Sequence, residues 1–155
     1  MSSLAERLKK LDLVLPSPAA PVAAYVPYIL TGSLVFISGQ VPVEKGQIKY
    51  TGLVGKELDL AGGQAAARLC CLNILAQVNE ACGGVIERIE RCIKLGGFIA
   101  SAPGFFDQPQ VMNGASELIE QVLGEAGKHT RFAVGVSSLP RNAAVEIDAL
   151  FALRL

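Results

Sequence analysis

Arg131-Phe132-Ala133-Val134-Gly135-Val136 and Ala144-Val145-Glu146-Ile147-Asp148-Ala149-Leu150-Phe151-Ala152-Leu153 are two apolar runs near the end of the chain. Between them lies a turn-forming cluster, Ser137-Ser138-Leu139-Pro140-Arg141-Asn142. Runs rich in β-branched residues around Ser, Pro and Asn read as a hairpin or a close strand pair. Each run carries a charge, Arg131 and Glu146, where a buried strand normally carries none. A guanidinium and a carboxylate on neighbouring strands could hold a small carboxylate-bearing metabolite with a water beside it. They could equally form a structural salt bridge with each other.

Upstream of this pair the chain alternates between the two helical and extended periods. Residues 3–11 read as a short helix, with Ser3-x-x-Glu6 in the form of a capping box. Val22 to Leu30 reads as an extended segment broken by Pro27, and Gly32-Ser33 as a turn. Leu34-Val35-Phe36-Ile37-Ser38 reads as a buried strand that ends at Gly39-Gln40. Residues 41–58 read as a loop with an edge strand. Asp59 is a suitable N-cap for a long helix through Ala81, with Ala65, Leu69, Leu72 and Ala76 inward and Gly83-Gly84 at its end. Ile89 to Ala100 reads as a strand in which Gly96-Gly97 marks a bulge or a close approach. A second helix is expected from about Gln110 to Gly124. The order predicts an α+β fold, with two main helices packed on one face of a mixed β-sheet.

At 155 residues the chain is expected to be one domain over 1–155, with a short helical extension over about 1–18. The formal net charge is +0, which argues against electrostatic capture of nucleic acid or of a membrane surface. Charged residues make up only 18% of the chain, which suits extensive subunit contact. The cysteines Cys70, Cys71, Cys82 and Cys92 lack CxxC spacing and the single His129 is remote in sequence, so no metal site is expected. They read as buried reduced thiols. With no secretory leader and no apolar stretch of membrane-spanning length, the expected location is cytoplasmic. Neither a GxGxxG fingerprint nor a phosphate loop nor a GxSxG elbow is present, and one His cannot build a Ser-His-Asp centre.

Arg131, the Leu139-Pro140 turn and the step Val145-Glu146-Ile147 resemble the C-terminal signature of the RidA/YjgF-type family, also called the L-PSP or putative endoribonuclease family. Ile37-Ser38-Gly39-Gln40-Val41-Pro42 resembles the family's Ser-Gly-Gln strand end. Tyr25, fourteen positions before Gly39, and Asn113, in the second helix, fall in the family's order. The resemblance covers roughly residues 20 to 154. It differs in having Ala133 where the family often has Cys, Ala23-Ala24 where it has Gly-Pro, and a longer stretch between Gly96 and Met112. The chain looks like a longer branch.

The resemblance implies a chorismate-mutase-like fold and a homotrimer with sites in clefts between subunits. It implies hydrolysis of reactive enamines and imines to 2-oxo acids and ammonia, without cofactor. Alternatives are a non-catalytic metabolite-binding trimer and an endoribonuclease or translation inhibitor. Arg131 would bind the substrate carboxylate through its planar fork. Glu146 would orient a water or take its proton. Tyr25 would cover the substrate, or be a half-buried aromatic at a strand edge. Asn113 would donate an amide hydrogen bond, or cap the second helix. Gly39 would permit close approach, and the backbone N–H near Ala133 would hold a carboxylate or an oxyanion. His129 reads as a loop residue outside the site.

Overall fold

A computed structural model of the chain describes residues 2–21 and 23–154. Three helices and seven strands follow in the order α1 (Leu4–Lys10), β1 (Tyr28–Thr31), β2 (Leu34–Gln40), β3 (Val43–Glu44), β4 (Gln47–Ile48), α2 (Leu60–Ala81), β5 (Ile89–Ala100), α3 (Gln108–Leu123), β6 (Thr130–Val136) and β7 (Val145–Leu153). The expected capping box is present on α1: the Glu6 N–H donates to Ser3 Oγ, and the Ser3 N–H donates to the Glu6 carboxylate at 2.9 Å. Asp59 caps α2 by accepting from the Gly62 N–H at 2.7 Å. The extended segment expected from Val22 reduces to β1, which begins after Pro27; Val22 itself lies outside the described residues.

Five strands form one mixed sheet in the order β1-β2-β7-β5-β6, and β3 and β4 form a separate two-stranded ribbon. Here the expected hairpin is corrected. β6 and β7 do not pair; β5 lies between them, parallel to β6 and antiparallel to β7. The connection over 137–144 is too long for a tight hairpin turn and passes over the end of β5. There the Ser101 N–H donates to Val136 O and the Ala100 N–H donates to Ala144 O. Arg141 and Asn142, both with φ 58°, make the sharp part of that crossing.

Alternation decides the two faces of the sheet. Val145, Ile147 and Phe151 on β7, Leu95 and Ile99 on β5, and Val35 and Ile37 on β2 are buried under α2 and α3. Gly97 belongs to this face as well, since a Cβ there would press on Met112 of α3, 2.7 Å from its Cε. Gly96-Gly97 is thus a place of close approach and not a bulge; the register shifts lie at Ile89/Arg91 and Cys92/Lys94. The buried face of α2 meets expectation at Ala76 and at neighbouring Leu75 and differs from it at Leu69 and Leu72. Ala66, Ala67, Cys70, Cys71, Ile74, Leu75 and Val78 face the sheet and α3, while Leu69 and Leu72 are only half-buried. The helix is apolar on more than one side, and its second apolar side meets Val14 and Leu15 of the N-terminal extension across a groove. All four cysteines are free and buried.

The opposite face of the sheet carries no helix. Phe36 (48% exposed), Leu150, Phe98 and Phe132 lie on it, with Val134 (43% exposed) toward the β6 edge. Phe98 and Phe132 stack edge to face with centroids 5.2 Å apart, and Lys94 Nζ lies 5.4 Å from the Phe132 ring centre. No helix among the described residues is long and apolar enough to cross a membrane.

Candidate active site

Arg131 stands opposite Leu95 on β5, and Leu95 is fully buried. Its side chain therefore runs under α3. Nη1 donates to Asn113 Oδ1 and to Ser116 Oγ, both at 2.9 Å, and Nη2 donates to the Pro109 carbonyl at 3.1 Å. Residues 109, 113 and 116 recur at helical spacing, so one face of α3 presents all three acceptors. All three are neutral. The two ion pairs among the described residues are Lys49–Glu44 and Lys128–Glu125, so the half-buried guanidinium has no carboxylate of its own. Of its five N–H groups, Nε–H and one on Nη2 stay uncommitted.

Asn113 does not cap the helix. α3 begins at Gln108 after Asp107, and Asn113 sits in its second turn with its amide oxygen turned to Arg131. Ser116 is tied further back: its hydroxyl lies 2.9 Å from His129 Nε2, and His129 Nδ1 lies 2.6 Å from the Gly127 carbonyl. His129 is a loop residue, as expected, one position before β6, and through Ser116 it belongs to the surroundings of Arg131. Positions 113 and 116 share a helix face, which is the one part of this arrangement that sequence spacing shows. Ala133, two residues beyond Arg131, faces the same side. Val136 O accepts from β5, so the even residues of β6 turn their backbone groups inward and Ala133 turns its N–H to the free edge.

Glu146 stands opposite Phe98 and projects from the other, helix-free face. Arg131 and Glu146 are therefore neither on neighbouring strands nor paired with each other. Burial, and then the charge of Asp148, raises the Glu146 carboxyl above its ordinary range. Gly39 lies in the irregular stretch of β2 between Ile37 and Gln40, and a Cβ there would come within 3.0 Å of Glu146 Cδ. A glycine is what lets the carboxylate lie against that backbone. Ser38 fixes the preceding segment, with its hydroxyl donating to Val26 O at 2.7 Å and its N–H to Pro27 O at 2.9 Å. That brings Tyr25, 51% exposed and ahead of β1, to the mouth of a cleft. The cleft has a volume of about 310 Å³ and is lined by Tyr25, Gly39, Gln40, Asn73 and Arg141, the last unremarked in the sequence.

The site residues thus form two clusters in one chain. Arg131, Asn113 and Ala133 gather at the β6 edge under α3. Glu146, Gly39 and Tyr25 gather on the helix-free side of β2 and β7.

The family described as YjgF/chorismate mutase-like, putative endoribonuclease matches residues 5–153. Protein TCP17 of Trypanosoma cruzi is 44% identical over 151 residues, covering 97% of this chain and 94% of that protein. The crystal structure of Atu1372 from Agrobacterium tumefaciens, of unknown function, superposes with a TM-score of 0.90 at 51% identity, over 98% of this chain and 92% of that one. TdcF of Escherichia coli, solved with bound serine, superposes with a TM-score of 0.64 at 28% identity, over 92% of this chain and 96% of that one. With its mixed sheet, two main helices and a match along nearly its whole length, the chain belongs to the YjgF/chorismate mutase-like, putative endoribonuclease family.

Proposed function

We propose that the protein hydrolyses reactive enamines and imines of small amino acids to 2-oxo acids and ammonia. The observation that carries this reading is the Arg131 guanidinium, held by three neutral acceptors with two donors left over and no counter-ion among the described residues. A charge so placed favours an incoming carboxylate. The serine held by TdcF is of that chemical kind.

The second requirement is a proton acceptor beside the C=N carbon. Glu146 serves as that base, but it lies on the other side of its own sheet. Two copies of the chain therefore build one site. The helix-free face, with Phe36, Ile29 and Val134 all exposed, is the surface that subunits would bury. Ring closure by a heterologous contact gives a homotrimer with a cleft at each junction. Arg131, Asn113 and the Ala133 N–H come from one copy, and Glu146, Gly39 and Tyr25 from the next.

In that cleft an enamine first takes a proton on carbon and gives up one from nitrogen to solvent, becoming an imine. Water attacks the imine carbon while Glu146 accepts its proton, and the nitrogen gains a proton as the C–O bond forms. The tetrahedral adduct then loses ammonia: the proton held by Glu146 passes to the amine nitrogen, the C–N bond breaks as NH3 leaves with the electron pair, and the hydroxyl proton goes to solvent water as the C=O closes. An iminium carbon is already electrophilic, so the residues need only bind, orient and move protons.

An amino-acid oxidase that generates 2-iminobutanoate in the presence of semicarbazide tests this. The protein should suppress semicarbazone formation, and Arg131→Ala should not. Equal suppression by both would sink the proposal. Binding without turnover would favour the metabolite-binding alternative, and cleavage of RNA by the wild type alone would favour the ribonuclease one.

A further inference from the structure

Arg131 does not orient itself. Its Nη1 group rests on Ser116 Oγ, and Ser116 rests in turn on His129. For a neutral imidazole, chemistry fixes the direction of every bond in this chain. The Gly127 carbonyl can only accept, so His129 Nδ1, 2.6 Å away, carries a proton and donates. In that tautomer Nε2 has a lone pair and accepts the Ser116 hydroxyl hydrogen across 2.9 Å. The hydroxyl hydrogen being turned toward the imidazole, the lone pairs of Ser116 Oγ face Arg131 and take its Nη1 hydrogen at 2.9 Å.

We propose that Ser116 and His129 are positioning residues of the carboxylate site, setting the angle of the Arg131 guanidinium through a one-way hydrogen-bond relay anchored on the Gly127 carbonyl. The proposal rests on the reading of Arg131 as the carboxylate anchor. The relay and Asn113 together engage Nη1, and the Pro109 carbonyl engages Nη2. What remains for a ligand is Nε–H and one Nη2 hydrogen, and a two-point grip on a carboxylate needs both aimed together. Without the Ser116 bond the long side chain regains rotamers, and the remaining donors lose that aim.

His129 is the chain's one histidine, so its ring nitrogens are observable without assignment. In protein labelled with ¹⁵N-histidine, NMR at neutral pH should show the proton on Nδ1 and a hydrogen-bonded, unprotonated Nε2. A proton on Nε2 would overturn the relay. The second readout is binding of 2-oxobutanoate, a carboxylate product, by titration calorimetry, beside imine hydrolysis kinetics. Ser116→Ala should raise the Kd for 2-oxobutanoate and the KM about tenfold or more, as expected for losing a hydrogen bond to a charged group. kcat should stay within about twofold, since a uniform binding interaction has been removed. Ser116→Thr keeps the hydroxyl and should restore Kd to within about threefold of wild type. A wild type that binds and turns over, beside Ser116→Ala with unchanged Kd and KM, would overturn the positioning role and leave the deaminase reading standing. A wild type that neither binds 2-oxobutanoate nor hydrolyses imines would overturn the carboxylate site itself, and the relay with it. The NMR measurement uses the unaltered protein and stands even where a variant folds poorly.

Discussion

Arg131 and Glu146 project from opposite faces of one sheet, on β6 and β7, with β5 between them. A single copy keeps the guanidinium and the carboxylate apart, and the proposed function has two copies share one site. Mixed subunits test this directly. In the proposed homotrimer, the Arg131→Ala and Glu146→Ala proteins should each be inactive. When the two are unfolded together and refolded, random mixing in a cyclic assembly leaves about a quarter of the junctions with both residues intact. Activity should then recover to about a quarter of wild type. No recovery, with mixed trimers shown by mass spectrometry, would place the reaction within one chain or outside this pair.

Glu146 gives a pH dependence with a definite sign. Its carboxyl is raised first by burial and then by Asp148. It must be ionised to accept a proton from water, so kcat/KM should fall as the pH drops through this raised value, above the ordinary glutamate range of about 4.3. Asp148→Asn removes the second cause and should move the acid limb to lower pH. Glu146→Gln should lower kcat by about 10²–10⁴-fold, the usual worth of a positioned base. Its effect on stability runs the other way. A carboxyl with a raised folded pKa favours the fold only when protonated, so its ionisation weakens the fold as pH rises from the unfolded pKa to the folded one. Glu146→Gln should therefore melt higher than wild type at neutral pH, with the difference vanishing at acid pH. Melting curves across that range check it.

The cysteines should be inert. Cys70 and Cys71 are pushed up chiefly by burial, Cys92 to about 12 by the same cause, and Cys82 in the same direction. A thiolate is what reacts with a disulfide reagent, and none is available near neutral pH. Ellman's reagent should release no chromophore from the native protein and the full count of four thiols after denaturation. With Ala133 and no cysteine among the proposed site residues, thiol alkylation should leave activity unchanged. Rapid native labelling would mean that the sheet and α2 open far more readily than their burial implies.

Most elements could be read from the chain because their signals are local. Asp59 and Gly83-Gly84 bracket α2, the capping box of Ser3 and Glu6 starts α1, and the β5 run from Ile89 to Ala100 is unbroken. Strand order was not legible, because nothing in Arg131–Val136 or Val145–Leu153 tells that β5 enters between them. That is decided by the parallel pairing of β5 with β6 through the α3 crossover, a long-range choice. The faces followed from the order. Once β5 separates the strands, the registers Leu95–Arg131 and Phe98–Glu146 send the two charges apart. Of the two readings of Asn113, site residue or helix cap, local sequence cannot choose, since its partner is 18 positions away. His129 was passed over because a single imidazole has no local motif; it acquires meaning only through Ser116.

Two glycine substitutions should separate folding from chemistry. At Gly114 an added Cβ would meet α2 backbone, 2.8 Å from the Gln64 carbonyl carbon and 3.0 Å from its Cα. Backbone inside a packed helix pair cannot step aside, so Gly114→Ala should cost about 1–3 kcal/mol as overpacking. For a chain of this size that lowers Tm by about 2–4 °C per kcal/mol. At Gly39 the obstacle is the end of one side chain, the Glu146 carboxylate, whose Cδ would lie at 3.0 Å. The far end of a half-buried, flexible side chain gives way more cheaply than backbone, so Gly39→Ala should melt within about 2 °C of wild type. The shift moves the proposed base by about an ångström, and a misplacement of that size removes roughly 10²-fold in rate. Thermal melts and imine hydrolysis on both variants give the contrast. A Gly39→Ala protein with wild-type kcat would show that the position of Glu146 against the β2 backbone has no part in the reaction.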